Sequence, residues 1–292
     1  MHAFKYKDKG KDFPSFPWPK PTSGMYTDRS HILMALLALC LALGSCRHKP
    51  TMQEMGVVLD TLKAESHAAL IADSAGSPQC AVNIELITFG NKEYSAINDS
   101  LLRSGILTPE YLSLTDIHMT PQAAVDSFIQ RYTNDYREFF TGIFSDEGAD
   151  EAATIGYTVT TSIEEGNDSI LNYKALISNR QGAITTEYTR CLNIDLGSKR
   201  ILELSDIFVP GSEKGLQEAI TSRLVKQTGC KSPEGLREAG FFVNSEAYAP
   251  NNFIIGDKAV TFVYVAGEIA DRSKGEIQVE VKYSDVKNLL KR

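Results

Sequence analysis

The chain has 292 residues, with 30 Lys/Arg against 37 Asp/Glu, 42% hydrophobic residues and five cysteines. This acidic balance excludes a nucleic-acid binder, whose affinity rests on cationic contacts with phosphates. The apolar share suffices for a globular core, and the length suits one large domain or two small ones.

Residues 1–24 mix lysines with Pro14, Pro17, Pro19 and Pro21 and show no periodicity. We read them as an overextended start, with translation beginning at Met25. Asp28-Arg29-Ser30-His31 then forms a short polar segment, and residues 32–43 form a twelve-residue apolar run. A membrane-spanning helix needs about 20 residues, so this run reads as an export signal. Leu43-Gly44-Ser45-Cys46 closes it. The tetrapeptide resembles the bacterial lipobox, which implies removal of residues 1–45 and a diacylglycerol on the Cys46 thiol. The expected partner is then a membrane, held through a lipid anchor in which each buried CH₂ contributes about 0.8 kcal/mol.

The segment 1–45 holds six Lys/Arg and three Asp/Glu, leaving 24 against 34 from Cys46 onward, a net charge of −10. Such a field speeds encounter with a basic partner. Arg47-His48-Lys49 lacks the acidic run that directs some lipoproteins to the cell surface, so the expected location is extracytoplasmic and periplasm-facing. Cys40 falls in the signal. Cys80, Cys191 and Cys230 remain, and they permit one disulfide in any of three pairings. No C-x-x-C occurs.

Residues 46–78 read as a tether, partly helical over 52–72 and broken at Gly76-Ser77-Pro78. Residues 80–89 alternate Val82, Ile84 and Leu86 with Asn83, Glu85 and Ile87, the period of a strand. A helix starts near Ser95. Thr108-Pro109-Glu110 and Thr120-Pro121-Gln122 both read as N-caps with proline at the first helical position. The second opens a helix with Val125, Phe128, Ile129, Tyr132, Tyr136, Phe139 and Phe140 at spacings of three and four, ended by Gly142. This aromatic stripe reads as core rather than as a sugar platform. Asp146, Glu147, Asp150 and Glu151 mark a solvated acidic loop, without the ordered ligand spacing of a calcium site.

Three strands follow, over 154–163, 172–179 and 185–195, joined by turns at Gly166 and Gly182. Residues 213–228 form an amphipathic helix with Leu216, Ala219, Ile220 and Leu224 on one face and Gly229 at its end. Ser232-Pro233-Glu234 starts a short helix. Residues 252–255 and 258–265 flank Gly256-Asp257 as a hairpin. Residues 276–283 alternate without a miss, and Ser284 caps a short terminal helix over 285–290. The order predicts an α+β fold, a mostly antiparallel sheet packed with a few helices. The domains are expected as leader and signal 1–45, tether 46–78, an α+β subdomain 79–170 and a second α+β domain 171–292.

Residues 173–290 resemble the extracytoplasmic domain of unknown function shared by the anti-sigma factor RsiV and PdaC-type peptidoglycan deacetylases. The matching pieces run from Asn193-Ile194-Asp195-Leu196-Gly197-Ser198-Lys199 through Leu202-Glu203-Leu204-Ser205-Asp206-Ile207-Phe208 to Asn252-Phe253. They continue with Val260-Thr261-Phe262-Val263-Tyr264, Gly267-Glu268-Ile269-Ala270 and Gly275-Glu276-Ile277-Gln278-Val279. Residues 80–102 resemble the smaller domain that usually precedes it. The central turn departs from the family: Gln181-Gly182-Ala183-Ile184 lacks the histidine of its Gly-Gly-Ala-His type. The resemblance implies a binding or sensing role outside the membrane, with lysozyme as ligand in RsiV-like proteins. In deacetylases this domain accompanies a separate catalytic one.

No P-loop, dinucleotide fingerprint, G-x-S-x-G elbow or H-E-x-x-H is present, so no cofactor and no metal is expected. His48, His67 and His118 are the histidines after Cys46. Asp195, Asp206, Glu268 and Asp271 are the carboxylates within or beside the matching segments, and they read as structural rather than as an acid–base pair. Four Asp-Ser/Thr-aliphatic triplets, at Asp60, Asp73, Asp99 and Asp168, resemble an O-glycosylation signal of some gut bacteria. The expectation is a membrane-anchored, non-catalytic module whose loop Gly267, Glu268, Ile269 and Asp271 faces a basic cell-wall-active protein, such as lysozyme, or a glycan. An envelope hydrolase acting on peptidoglycan is the alternative. With neither a transmembrane helix nor a cytoplasmic domain expected after Cys46, signalling would need a partner.

Overall fold

Alternating side chains build the first sheet. In β2 (Gln79–Phe89) Cys80, Val82, Ile84 and Leu86 are each 3% exposed or less, while Asn83 stays in solvent. The computed structural model describes residues 52, 56–71, 76–114, 118–143, 151–166 and 169–291, and these fall in one compact unit. The leader, the signal, Cys46, the acidic residues 146–150 and the Asp73 and Asp168 positions lie outside the described residues. No described helix is long and apolar enough to cross a membrane.

The fold is α+β. The first sheet runs β1 (Leu59–Ala69), β2, β3 (Ile155–Glu165), β4 (Ile170–Gln181), β5 (Ile184–Asp195) and β6 (Arg200–Leu202), in chain order. All neighbours are antiparallel except β2 and β3, which are parallel and pair from Cys80–Ile155 to Glu85–Thr160. Parallel neighbours need a long crossover. Here it carries α1 (Ser95–Leu102) and α2 (Pro121–Thr141), which cover the inner face of the sheet. The Thr120 hydroxyl accepts from Ala123 N–H at 3.3 Å and starts α2 as its sequence requires. Val125, Phe128, Tyr136 and Phe140 are buried, so the aromatic stripe is core, but Phe139 is 62% exposed.

The second sheet is β7 (Phe253–Ile255), β8 (Ala259–Tyr264) and β9 (Ile277–Lys282), all antiparallel. The one-turn helix α3 (Leu204–Ile207) follows β6, and with α4 (Glu213–Thr228) and α5 (Pro233–Glu238) the second sheet encloses a second core around Ile220, Leu224, Phe262 and Val279. Gly229 ends α4 at φ 74°, a left-handed conformation that glycine adopts freely.

The two sheets meet through three buried asparagines. Asn252 Oδ1 accepts from Cys191 N–H at 2.7 Å, and its Nδ2 donates to the Thr189 carbonyl at 2.8 Å. Asn193 Nδ2 donates to the Phe253 carbonyl at 2.9 Å, and its Oδ1 accepts from Ile255 N–H at 2.8 Å. Asn172 Nδ2 donates to the Ile255 carbonyl at 3.3 Å. Each amide satisfies backbone groups that a neighbouring strand would otherwise take.

Four expectations need correction. Residues 59–69 are not a helical tether: they form β1, whose helix-forming Leu, Lys, Ala and Glu are overridden by pairing along all of β2. After Thr108 a single 3₁₀ turn, Tyr111–Leu114, replaces the α-helix, and the Thr108 hydroxyl donates back to the Gly105 carbonyl at 3.1 Å. No helix follows Ser284. Residues 289–291 instead spend their backbone on 207–209, with Val209 N–H to Leu289 carbonyl and Lys291 N–H to Ile207 carbonyl at 2.8 Å each. Val286 is still buried in the second core, as its apolar character requires. Finally, a division at 170/171 falls between β3 and β4, which are paired from Ile155–Gln181 to Glu165–Leu171. The hydrophobic clusters separate near Leu202 instead.

Candidate functional site

The carboxylates within or beside the matching segments are occupied by structural work. Asp195 accepts from the Ser169 and Ser198 hydroxyls and from the Gly197 and Ser198 N–H groups, at 2.7–3.2 Å. Burial alone would raise its pKa, but these bonds outweigh it and hold the carboxyl below its ordinary value. Asp206 receives both Nη atoms of Arg200, at 2.7 and 2.8 Å, and the Glu203 N–H at 2.8 Å. The Arg200 bond, above all, brings it down to about 2. Asp271 accepts from the Ser273 hydroxyl and the Ser273 N–H, which likewise lower it.

The loop after β8 is pinned at both ends. Val265 N–H donates to Glu268 Oε2 at 2.8 Å, and Glu268 N–H donates to the Val265 carbonyl at 3.0 Å. Gly267 sits at φ 89°, where a side chain would be strained. Ile269 is 4% exposed and packs in the second core, and its carbonyl accepts from Phe242 N–H at 2.7 Å. It therefore anchors the loop from beneath and does not face a partner. Glu268, Asp271 and residues 272–274 form the exposed surface.

Beside Glu268 the structure opens a groove of about 460 Å³. Tyr188 and Arg190 of β5 form one wall, and Tyr248, Pro250 and Asn251 of the irregular strap before β7 form the other. The Tyr248 hydroxyl donates to Glu268 Oε1, and the Tyr264 hydroxyl donates to the Tyr248 carbonyl. The Tyr248 ring packs edge-on to Tyr264, centroids 5.8 Å apart, and to Phe242 at 6.2 Å. Burial, then the Glu268 bond, push the Tyr248 phenol well above its ordinary pKa, so it stays a neutral donor. Arg190 Nε donates to the Ser104 carbonyl at 3.1 Å and Nη1 to the Asn251 carbonyl at 3.4 Å, which fixes the guanidinium plane. Tyr248 is 40% exposed and also borders a second groove of about 440 Å³ with Leu204, Phe208, Leu216 and Lys291.

The two described histidines do not join this site. His118 Nδ1 lies 3.3 Å from Asp99 Oδ2 on an exposed surface, and His67 pairs with Glu65 at 2.8 Å. Among the described residues, no group of three or more His, Cys, Asp or Glu is placed to hold a metal. Cys80, Cys191 and Cys230 are free thiols, so no pairing among them forms. Sequence reasoning found Glu268 but not Tyr188, Arg190, Tyr248 or Asn251. No periodicity or motif marks these four, and β5 and the strap are far apart in the chain.

Residues 205–284 match the model of a family described as a protein of unknown function, DUF3298. The solved structure of a DUF3298 family member from Bacteroides fragilis is 19% identical to the chain, covering 81% of it and 94% of that protein, with a TM-score of 0.70. A DUF3298 family protein from Pseudomonas aeruginosa is 16% identical, covering 80% of the chain and 95% of that protein, with a TM-score of 0.54. At these identities the likeness shows the fold. No curated protein matches the chain.

Proposed function

We propose that this chain is an envelope lipoprotein of the RsiV-like, PdaC-type kind, anchored through Cys46 and facing the periplasm, which binds a cell-wall-related ligand without transforming it. The observation that carries this reading is the groove between β5 and the strap. Its volume of about 460 Å³ suits a small ligand. Rings at Tyr188 and Tyr248 offer apolar faces, while Arg190, Asn251 and Glu268 offer donors and acceptors held by other bonds. That combination fits a sugar ring, which presents C–H faces and hydroxyls together. A glycan is the favoured ligand, with a basic protein such as lysozyme drawn by the acidic surface as the other.

Hydrolysis of a glycoside needs one carboxyl kept protonated and a second kept charged. Among the residues lining the groove Glu268 is the one carboxylate, and its two oxygens already accept from the Tyr248 hydroxyl and the Val265 N–H. This supports binding over catalysis. The test titrates the chain from Lys49 onward with soluble muropeptides and, separately, with lysozyme. Saturable binding in roughly the micromolar range is expected, weakened at least tenfold, about 1.4 kcal/mol, by Tyr248→Ala or Arg190→Ala with the circular dichroism spectrum kept. Cleavage of the muropeptides, or no binding of either titrant at high micromolar concentration, overturns the reading.

A further inference from the structure

The groove above leaves the opposite end of the first sheet unused. There β1 is an edge strand of 11 residues, and among the described residues nothing pairs with its outer side. The other strands at sheet ends are shorter: β6 and β7 have three residues and β9 six. A long edge is a template for another strand unless proline, a bulge or a covering element blocks it. Among the described residues no proline, bulge or covering element blocks β1, and the charges that could blunt it, Lys63 and Glu65, are of opposite sign. Its sequence has no proline, and its register with β2 runs unbroken from Leu59–Phe89 to Ala69–Gln79.

Two observations point to an occupant. A cleft of about 590 Å³ runs between residues 63–68 of β1 and the flank of α2, where Ile129, Thr133 and Arg137 line it. Thr133, on the α2 side, is only 9% exposed. The second observation is charge. Lys63, Glu65 and His67 stand exposed on one face of β1, while Leu62, Ala64, Ser66 and Ala68 lie on the half-buried face. Turned about a two-fold axis at Ala64, the strand is complementary to itself. Lys63 falls opposite the second copy's Glu65, Thr61 opposite its His67, and Leu62 opposite its Ser66. Opposite charges directly across an antiparallel pair stabilise it, and like charges destabilise it.

We propose that β1 pairs antiparallel with β1 of a second copy of this chain, joining two six-stranded sheets into one across a two-fold axis at Ala64. The pairing is isologous, so each Lys63–Glu65 contact occurs twice. Lys63 already lies 3.0 Å from Glu85 of its own chain, and the second copy's Glu65 would extend that pair.

Analytical ultracentrifugation of the chain from Lys49 onward tests this, with fold checked by circular dichroism. The wild type is expected to dimerise. Lys63→Glu places Glu opposite Glu, and Glu65→Lys places Lys opposite Lys, so each alone should weaken the dimer at least tenfold. The double variant Lys63→Glu/Glu65→Lys should restore it. An equimolar mixture of the two single variants should associate, because each supplies what the other lacks. A wild type that stays monomeric overturns the proposal, even if the edge takes up an added extended peptide. So does a double variant as weak as the singles, or a mixture that stays monomeric.

Discussion

Asp206 shows how one side chain can be read correctly in kind and incompletely in role. The sequence reads it as structural, and the structure makes it the N3 residue of a capping box in the one-turn helix α3 (Leu204–Ile207). Its bidentate partner Arg200 is six residues away, on β6, and no local pattern names it. The pair sets a pH dependence. The folded pKa of about 2 lies below the ordinary carboxylate value, so the stabilising contribution is present above about pH 4. It is lost as pH falls toward 2. Because Arg200 is half exposed, screening limits the contribution to about 1 kcal/mol. Asp206→Asn is expected to lower the unfolding free energy at pH 7 by about that much, with the difference from wild type closing near pH 2. Urea titrations at both pH values check it, and an equal difference at the two contradicts it.

At the level of elements, those with caps or a full alternating period were legible. α2, α4 and α5 begin and end where Thr120, Gly229 and Ser232 place them. β9 alternates in the structure as it does in the sequence. β1 was not legible, because small Ala64, Ser66 and Ala68 on its inward side give a weak apolar signal and its pairing partner β2 decides its state. The parallel β2–β3 pairing was equally hidden, since nothing local encodes the direction in which a crossover returns. The junction between the sheets was visible as Asn193 and Asn252 within matching segments, but not as a joint. Asn252→Ala removes two hydrogen bonds and leaves the buried Cys191 N–H without its acceptor. The expected loss is about 2–3 kcal/mol in unfolding free energy, read by urea denaturation. A change under about 0.5 kcal/mol would assign the joint to apolar packing instead.

For the molecule as a whole, the order of elements indicated the fold class and composition the charge, while the grooves arise from surfaces that meet only after folding. Tyr188 and Arg190 acquire their place beside Tyr248 and Asn251 because β5 passes the strap, not because their sequence contexts are alike. The thiols are also governed by the whole fold. Cys80 and Cys191 are buried in the structure, and burial first of all pushes each up to about 11. Cys230 is half-exposed. In the chain from Lys49 onward, a thiol reagent at pH 8 is therefore expected to modify Cys230 rapidly and the other two at the rate of unfolding. Mass spectrometry with time would show one fast addition; rapid labelling of Cys80 or Cys191 would contradict the packing described.

The asparagine joint has a mechanical consequence. The first sheet is held by long ladders of backbone hydrogen bonds loaded together, whereas the two sheets are linked across Asn172, Asn193 and Asn252 by five hydrogen bonds of side-chain amides. A chain gripped at its amino end and tugged at its carboxyl module would part first along that seam, releasing the smaller sheet as a unit while the larger one stayed intact. Under tension the protein would lengthen in two steps, and the site of the first would be a row of side chains.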